Sequence, residues 1–142
     1  MDPVGPGCAA ECTSEVDAEK LKGAASSFGK GRFMLLLKNK EEFLERLLPS
    51  YLNAYVRLSE GGMASGNVNI EMMLFISGSD RIDEALSECS VNDAGDFLVF
   101  SDRRESIETF ARENGVIIRR FLDLKFHEGS AADVALLGVN AK

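Results

Sequence analysis

The stretch Asn69–Val91, "NIEMMLFISGSDRIDEALSECSV", decides how this chain is read. Its first half is a dense apolar run. Its second half is acidic, with apolar residues at helical spacing. Asn69 is a good N-cap, and Glu71 falls in the first turn, where the helix dipole favours an acid. Methionine is a strong helix former and a weak strand signal. Together these predict a helix over about 70–77, buried nearly all round; the competing assignment is a strand over 72–76. "SGSD" breaks the run. Ser79 then caps a second helix over 79–89, with Asp80 and Asp83 in its first turn. Ile82, Ala85, Leu86 and Cys89 form one apolar stripe at i, i+3, i+4, i+7.

Upstream, "RFMLLLK" is a continuous apolar run of strand length, as for a strand buried on both faces. "KNKEEFLERLLPSYLNAYVRLSEGG" follows as a helix with Phe43, Leu44, Leu47, Leu48, Tyr51, Leu52, Tyr55 and Leu58 inward. Pro49 is expected to kink or split it, and Gly61 and Gly62 to stop it. Nearer the N-terminus, "CAAECT" is compatible with a short strand. "TSEVDAEKLKGAASSFGKG" reads as a helix capped by Ser14, with Val16, Leu21, Ala24 and Ala25 inward and Gly29 at its end. Residues 1–7 are turn formers and are expected to fray.

Downstream, "DFLVFS" is a strand led by the turn "VNDAGD". "SDRRESIETFARENG" is a helix capped by Ser101, with Ile107, Phe110 and Ala111 facing the core and Gly115 as its closing glycine. "VIIRRF" is a further strand, "DLKFHEGS" a loop, and "SAADVALLGVNAK" a C-terminal helix burying Val134 and Leu137, with Leu136 beside them. Strands separated by helices predict a two-layer α/β sandwich with a small sheet of three or four strands packed with helices. Whether that sheet is parallel or mixed is not readable from this pattern.

The chain has 142 residues, 45% of them hydrophobic, which suits one domain over 1–142 with a real core. No apolar run is long enough to cross a bilayer, and the N-terminus has Asp2 and no apolar core segment of a signal peptide. A cytoplasmic location is the expectation. Three cysteines, Cys8, Cys12 and Cys89, are an odd number and suggest reduced thiols. Cys8 and Cys12 make a CxxxC with no second half and no nearby histidine, short of the roughly four ligands a metal needs. A net charge of −7 disfavours a stand-alone nucleic-acid binder. The charge is uneven, however. Asp80–Asp96 holds six acids and only Arg81 as a base, while Phe97–Lys125 holds five acids and six bases. A local basic patch on an acidic protein is therefore possible.

Signs of catalysis are weak. His127 is the only histidine and reads as a loop residue. No serine sits in GxSxG. "FGKGRF" lacks the GK[ST] ending and the preceding strand of a phosphate loop. "SGSD" offers a helix N-terminus, yet Asp80 would repel an anion. No pair of carboxylates stands out for acid–base work, and no cofactor is implied. A binding module is the leading class.

"NVNIEMMLFISGSDRIDEALSECSVNDAGDFLVFS" resembles the signature stretch of the small kinase-binding subunit of the KEOPS (EKC) complex. That family carries a glutamate opening an apolar helix, then Ser-Gly, an isoleucine, a Glu-Ala pair and a following strand. The matching residues are Glu71, Leu74, Ser77, Gly78, Ile82, Glu84, Ala85 and Leu86. "FMLLLKNKEEFLERLL" looks like the family's strand and long helix, and "DVALLGVNAK" like its closing helix, so the likeness spans nearly the whole chain. The family often has Arg-Gln before the isoleucine where this chain has Asp80-Arg81, and its archaeal members are more basic. The resemblance implies an α/β fold and no enzymatic activity. It implies binding to the N-lobe of the small atypical kinase/ATPase subunit, and help in holding the tRNA acceptor end. The complex makes threonylcarbamoyladenosine beside the anticodon.

On that footing, partner binding is expected on the acidic outer face of the 79–89 helix, Asp83, Glu84 and Glu88, and on the C-terminal helix. There Leu136 and Leu137 are adjacent, so both can hardly face the core. Any tRNA contact is expected at Arg81 after the Ser-Gly turn and at Arg103 and Arg104 opening a helix. Arg57 and Arg119 or Arg120 are further candidates. The chain alone is expected to be monomeric and without a membrane contact. Two rival readings are a small self-associating regulatory ligand-binding α/β domain and, more weakly, an enzyme using His127.

Overall fold

The computed structural model describes residues 7–28, 33–60 (58–60 in backbone only), 68–91, 95–122 and Leu124. The chain divides into two compact units, residues 1–39 with 90–123, and residues 40–89 with 124–142. The fold is α/β.

The first unit contains β1 (Cys8–Ser14), α1 (Ala18–Ser26), β2 (Met34–Lys38), β3 (Gly95–Ser101), α5 (Arg104–Asn114) and β4 (Val116–Leu122). The four strands form one sheet in the order β2-β3-β1-β4, and every neighbouring pair is antiparallel. β1 and β2 are therefore parallel with β3 between them, and β3 and β4 are parallel with β1 between them. Each pair is bridged by a helix. This is the doubly split β-α-β arrangement of ferredoxin-like sheets. In chain order, residues 40–89 of the second unit come between β2 and β3.

One face of the sheet carries Ala10, Cys12, Met34, Leu36, Phe97 and Val99, whose alternation follows from the pleat. Leu21 and Ala25 of α1 and Ile107, Phe110 and Ala111 of α5 pack onto them. Consecutive side chains of β2 and β3 are buried, from Phe33 to Leu37 and from Phe97 to Ser101. This accounts for the continuous apolar runs.

Two expected caps belong instead to strand ends. Ser14 closes β1, where its hydroxyl donates to the Gly115 carbonyl and accepts from the Val16 N–H, both at 3.0 Å. The first helix thus begins at Ala18, with Asp17 at its N-cap. Ser101 closes β3 and donates to the Phe33 carbonyl at 2.7 Å, while Arg103 takes the N-cap of α5. In both cases the ladder keeps the serine in the strand. Gly115 ends α5 as expected, in the left-handed region at φ 69°.

The second unit contains α2 (Glu41–Glu60), α3 (Val68–Ser77) and α4 (Ile82–Cys89). α2 packs on α3, and α3 on α4. Pro49 lies inside α2 and does not split it. The assignment of a helix to the apolar half of the opening stretch holds. α3 starts two residues earlier than expected, which puts Asn69 inside its first turn and not at its cap. No α3 residue is exposed. The expected stripe on α4 divides: Ala85 and Cys89 are fully buried, but Ile82 and Leu86 are 38% and 37% exposed. Gly29, Gly61, Gly62, His127, Val134, Leu136, Leu137 and the expected C-terminal helix lie outside the described residues.

Candidate functional site

The family-like residues fall on one continuous piece of the second unit, α3, a turn and α4. Gly78 makes the turn at φ 74° and returns its N–H to the Leu74 carbonyl at 3.0 Å. Ser77 donates to the Leu74 carbonyl and accepts from the Ser79 N–H, each at 3.2 Å. Arg46 of α2 donates to the Ile76 carbonyl at 2.6 Å, a cation on the carbonyl end of a helix. Ser79 accepts from the Arg81 N–H at 3.1 Å and donates to the Glu84 carboxylate at 2.9 Å. The Ala85 N–H reaches the Arg81 carbonyl, so Arg81 is the backbone cap of α4 and Ser79 braces it from two residues upstream.

A cavity of about 430 Å³ opens beside this piece, lined by Arg57, Glu71, Leu74, Phe75, Gly78, Ser79 and Asp80. Glu71, Leu74, Phe75 and Gly78 lie on one side of α3 because three- and four-residue steps repeat on a helix. Glu71 is fully buried and ion-pairs with Arg57 at 3.8 Å. The Arg57 guanidinium also stands 5.0 Å from the centre of the Phe75 ring, within cation–π range. Leu74, a candidate core residue by sequence, is only half-buried and forms cavity wall. Two sequence signals point to this cavity: a lone acid in an otherwise apolar helix, and an arginine near the end of the preceding one. Neither alone shows that they meet.

On α4, Ile82, Leu86, Asp83, Glu84 and Glu88 are all exposed. Of the partner-binding acids expected from sequence, only Asp83 borders the two apolar side chains that the expected core stripe had claimed; Glu84 and Glu88 fall on the opposite side of the helix.

The arginines singled out for RNA are held by acids. Arg81 pairs with Asp83 at 3.1 Å and Glu84 at 3.7 Å. Arg103 pairs with Asp102 at 3.9 Å and Glu105 at 3.8 Å. Arg104 pairs with Glu108 at 3.9 Å and stacks over Phe121 at 3.8 Å. Arg103 and Arg104 sit together at the start of α5 in the first unit, whereas Arg57 and Arg81 belong to the second. Any phosphate would have to compete with these carboxylates.

Arg119 and Arg120 are consecutive, yet both reach the same sheet face. The register of β1 against β4 slips between Glu11 and Cys12, which makes Arg119 the extra residue of a β-bulge. Arg120 grips Glu11 through two hydrogen bonds of 2.9 Å, and Arg119 reaches Asp96 at 3.3 Å. The hydrogen bond from Arg120 holds the Glu11 carboxyl below its ordinary range. Ile117, opposite Thr13 on this face, is 65% exposed.

The thiols are quiet. Burial pushes Cys12 up to about 12 and raises Cys8 as well, the latter opposed by nearby Arg104. Among the described residues, no three His, Cys, Asp or Glu side chains converge on a possible metal position. No described helix is long and apolar enough to cross a membrane. No protein-family model matches the chain, and no curated protein matches its sequence.

Proposed function

We propose that this chain is a non-catalytic binding subunit of the KEOPS kinase-binding kind. In this reading it docks the small atypical kinase/ATPase subunit and helps the complex to hold tRNA. The observation that carries the reading is the outer face of α4. Ile82 and Leu86 are more than a third exposed, with Asp83 beside them and Glu84 and Glu88 on the far side of the helix. An exposed apolar pair on a helix, with an acid at its edge, suits a protein partner better than a small ligand. The family resemblance supports it too, since several residues that carry it have a structural task here: Gly78 turns the chain, Ala85 is buried, and Glu84 accepts a hydrogen bond from Ser79. The arginines contribute to tRNA binding only within the assembled complex, where a phosphate draws them from their carboxylates.

The test is co-purification of the kinase/ATPase subunit from the native cell with tagged wild-type chain and with the Ile82→Ser, Leu86→Ser double variant. Wild type carrying the kinase, and a folded variant carrying none, is the expected result. Wild type without a kinase overturns the reading. A second reading, a small self-associating ligand-binding domain, is favoured by the exposed sheet face around Ile117. A dimer of the purified chain that Ile117→Lys dissociates would favour it.

A further inference from the structure

We propose that Ser106 is a phosphorylation site for a protein kinase that selects arginines two and three residues before its target. The stretch Arg103-Arg104-Glu105-Ser106-Ile107 puts consecutive cations at those positions and an apolar residue directly after the serine. Kinases choose substrates largely by such charge patterns, because guanidinium groups pair with carboxylates lining the substrate groove. Arg103, Arg104 and Glu105 are exposed, and Ser106 is half-buried. The ion pairs of the two arginines with Asp102, Glu105 and Glu108 are 3.8–3.9 Å long and lie at the surface, so a kinase's own carboxylates can replace them. It is the adjacent arginines, and not the helix end, that mark the site.

A kinase groove takes its substrate extended, whereas here the stretch begins α5 and Ile107 is fully buried. The first turn must therefore open for the reaction. Arg103 stands at its N-cap without a side-chain cap hydrogen bond, which leaves this end less firmly held than a capped one. In the step itself the Ser106 hydroxyl oxygen attacks the γ-phosphorus of ATP, the bond to ADP breaks, and the hydroxyl proton passes to the kinase's catalytic aspartate. When the turn re-forms, the phosphate stands at the third residue of α5. There the first-turn N–H groups lack intrahelical partners, and the helix dipole favours negative charge. The modification adds about two negative charges to a helix start at which Arg103 and Arg104 now balance Asp102 and Glu105. It also sets a phosphate of the chain's own against any nucleic-acid phosphate for the two arginines. No residue of α4 is involved, so the site stands or falls independently of the partner-binding face.

The test incubates the full chain with magnesium, ATP and the catalytic subunit of a cAMP-dependent protein kinase, which has this preference, and maps the product by mass spectrometry. Phosphate is expected on Ser106 and is absent from that position in Ser106→Ala. The initial rate should fall about tenfold or more in the Arg103→Gln, Arg104→Gln double variant, as the loss of charged contacts implies. The phosphorylated chain should unfold at a higher urea concentration than the unmodified one, at unchanged slope. An unmodified Ser106, under conditions in which a peptide spanning 101–109 is fully modified, would overturn the proposal. So would a rate that the arginine variant leaves undiminished. A lowered urea midpoint would overturn the holding of the phosphate by α5. Circular dichroism verifies the fold of each variant, and the map on wild type decides the matter even where a variant is unstable.

Discussion

Two glycine substitutions should move stability in opposite directions. Gly115 closes α5 at φ 69°, returns its N–H to the Ala111 carbonyl and accepts a hydrogen bond from Ser14. An alanine there must hold an L-residue in the left-handed region, which costs about 1–2 kcal/mol. Its new Cβ would also stand 3.3 Å from Cγ2 of Val16, a contact tight enough to add to the strain unless Val16 shifts. Gly23 lies inside α1, is exposed, and would meet nothing within 4 Å on gaining a Cβ. There alanine should stabilise by about 0.5–1 kcal/mol through helix propensity. Gly78→Ala separates strain from crowding, since φ is 74° but no atom lies within 4 Å of its Cβ. It should cost about 1–2 kcal/mol, without the added contact. Urea unfolding followed by circular dichroism measures all three, compared at constant slope so that midpoints report stability. A neutral Gly115→Ala, or Gly23 and Gly115 variants shifting the same way, would refute the conformations assigned to those positions.

Three further outcomes are expected. Met72→Ala should cost about 2–5 kcal/mol because Met72 is fully buried, and Leu74→Ala clearly less because Leu74 is half-buried cavity wall; equal losses in denaturant titration would contradict the placing of α3. In native protein at pH 8, iodoacetamide followed by mass spectrometry should modify Cys8 slowly and Cys12 and Cys89 hardly at all; rapid labelling of Cys12 would refute its burial. Glu11 has a folded pKa below its unfolded one. Its small stabilising contribution is therefore present at neutral pH and is lost as pH falls below the ordinary glutamate value of about 4.3. The difference in Tm between wild type and Arg120→Ala should close over that acid range, and a gap that widens there would be wrong in sign.

Elements held by one strong local signal were legible in the sequence. The apolar runs of β2 and β3 and the Glu-Met-Met signature of α3 are of this kind. Helix starts were less so. A serine near a helix looks like a cap, but Ser14 and Ser101 are still paired in the sheet, and tertiary hydrogen bonds outweigh a local preference. Sheet order was illegible because alternating strands and helices fit a parallel sheet as well as the antiparallel one formed. The partners of β1 lie far along the chain, at Gly95–Ser101 and Val116–Leu122. The division of the α4 stripe was hidden for a related reason: spacing defines a face but not how far a neighbour covers it. The exposed acids Asp83, Glu84 and Glu88 were legible because charge favours water. The cavity was not, since it depends on α2 lying against α3, which brings Arg57 to Glu71 and Phe75.

The entry of the second unit between β2 and β3 bears on how the chain folds. Lys38 pairs with Phe97 and Met34 with Ser101, so neighbouring strands that a tight hairpin could join are closed across a long detour. A detour of roughly sixty residues, taken as flexible chain, adds about 2 kcal/mol of closure entropy over a four-residue turn. The inserted helices make mainly nearby contacts, α2 with α3 and α3 with α4, of a kind that forms quickly. Once helical, they no longer behave as free chain, and the strand ends have less to search. The insertion that slows closure of the sheet as a coil thus shortens it as a folded piece. The topology thus favours helices forming before the β2–β3 ladder.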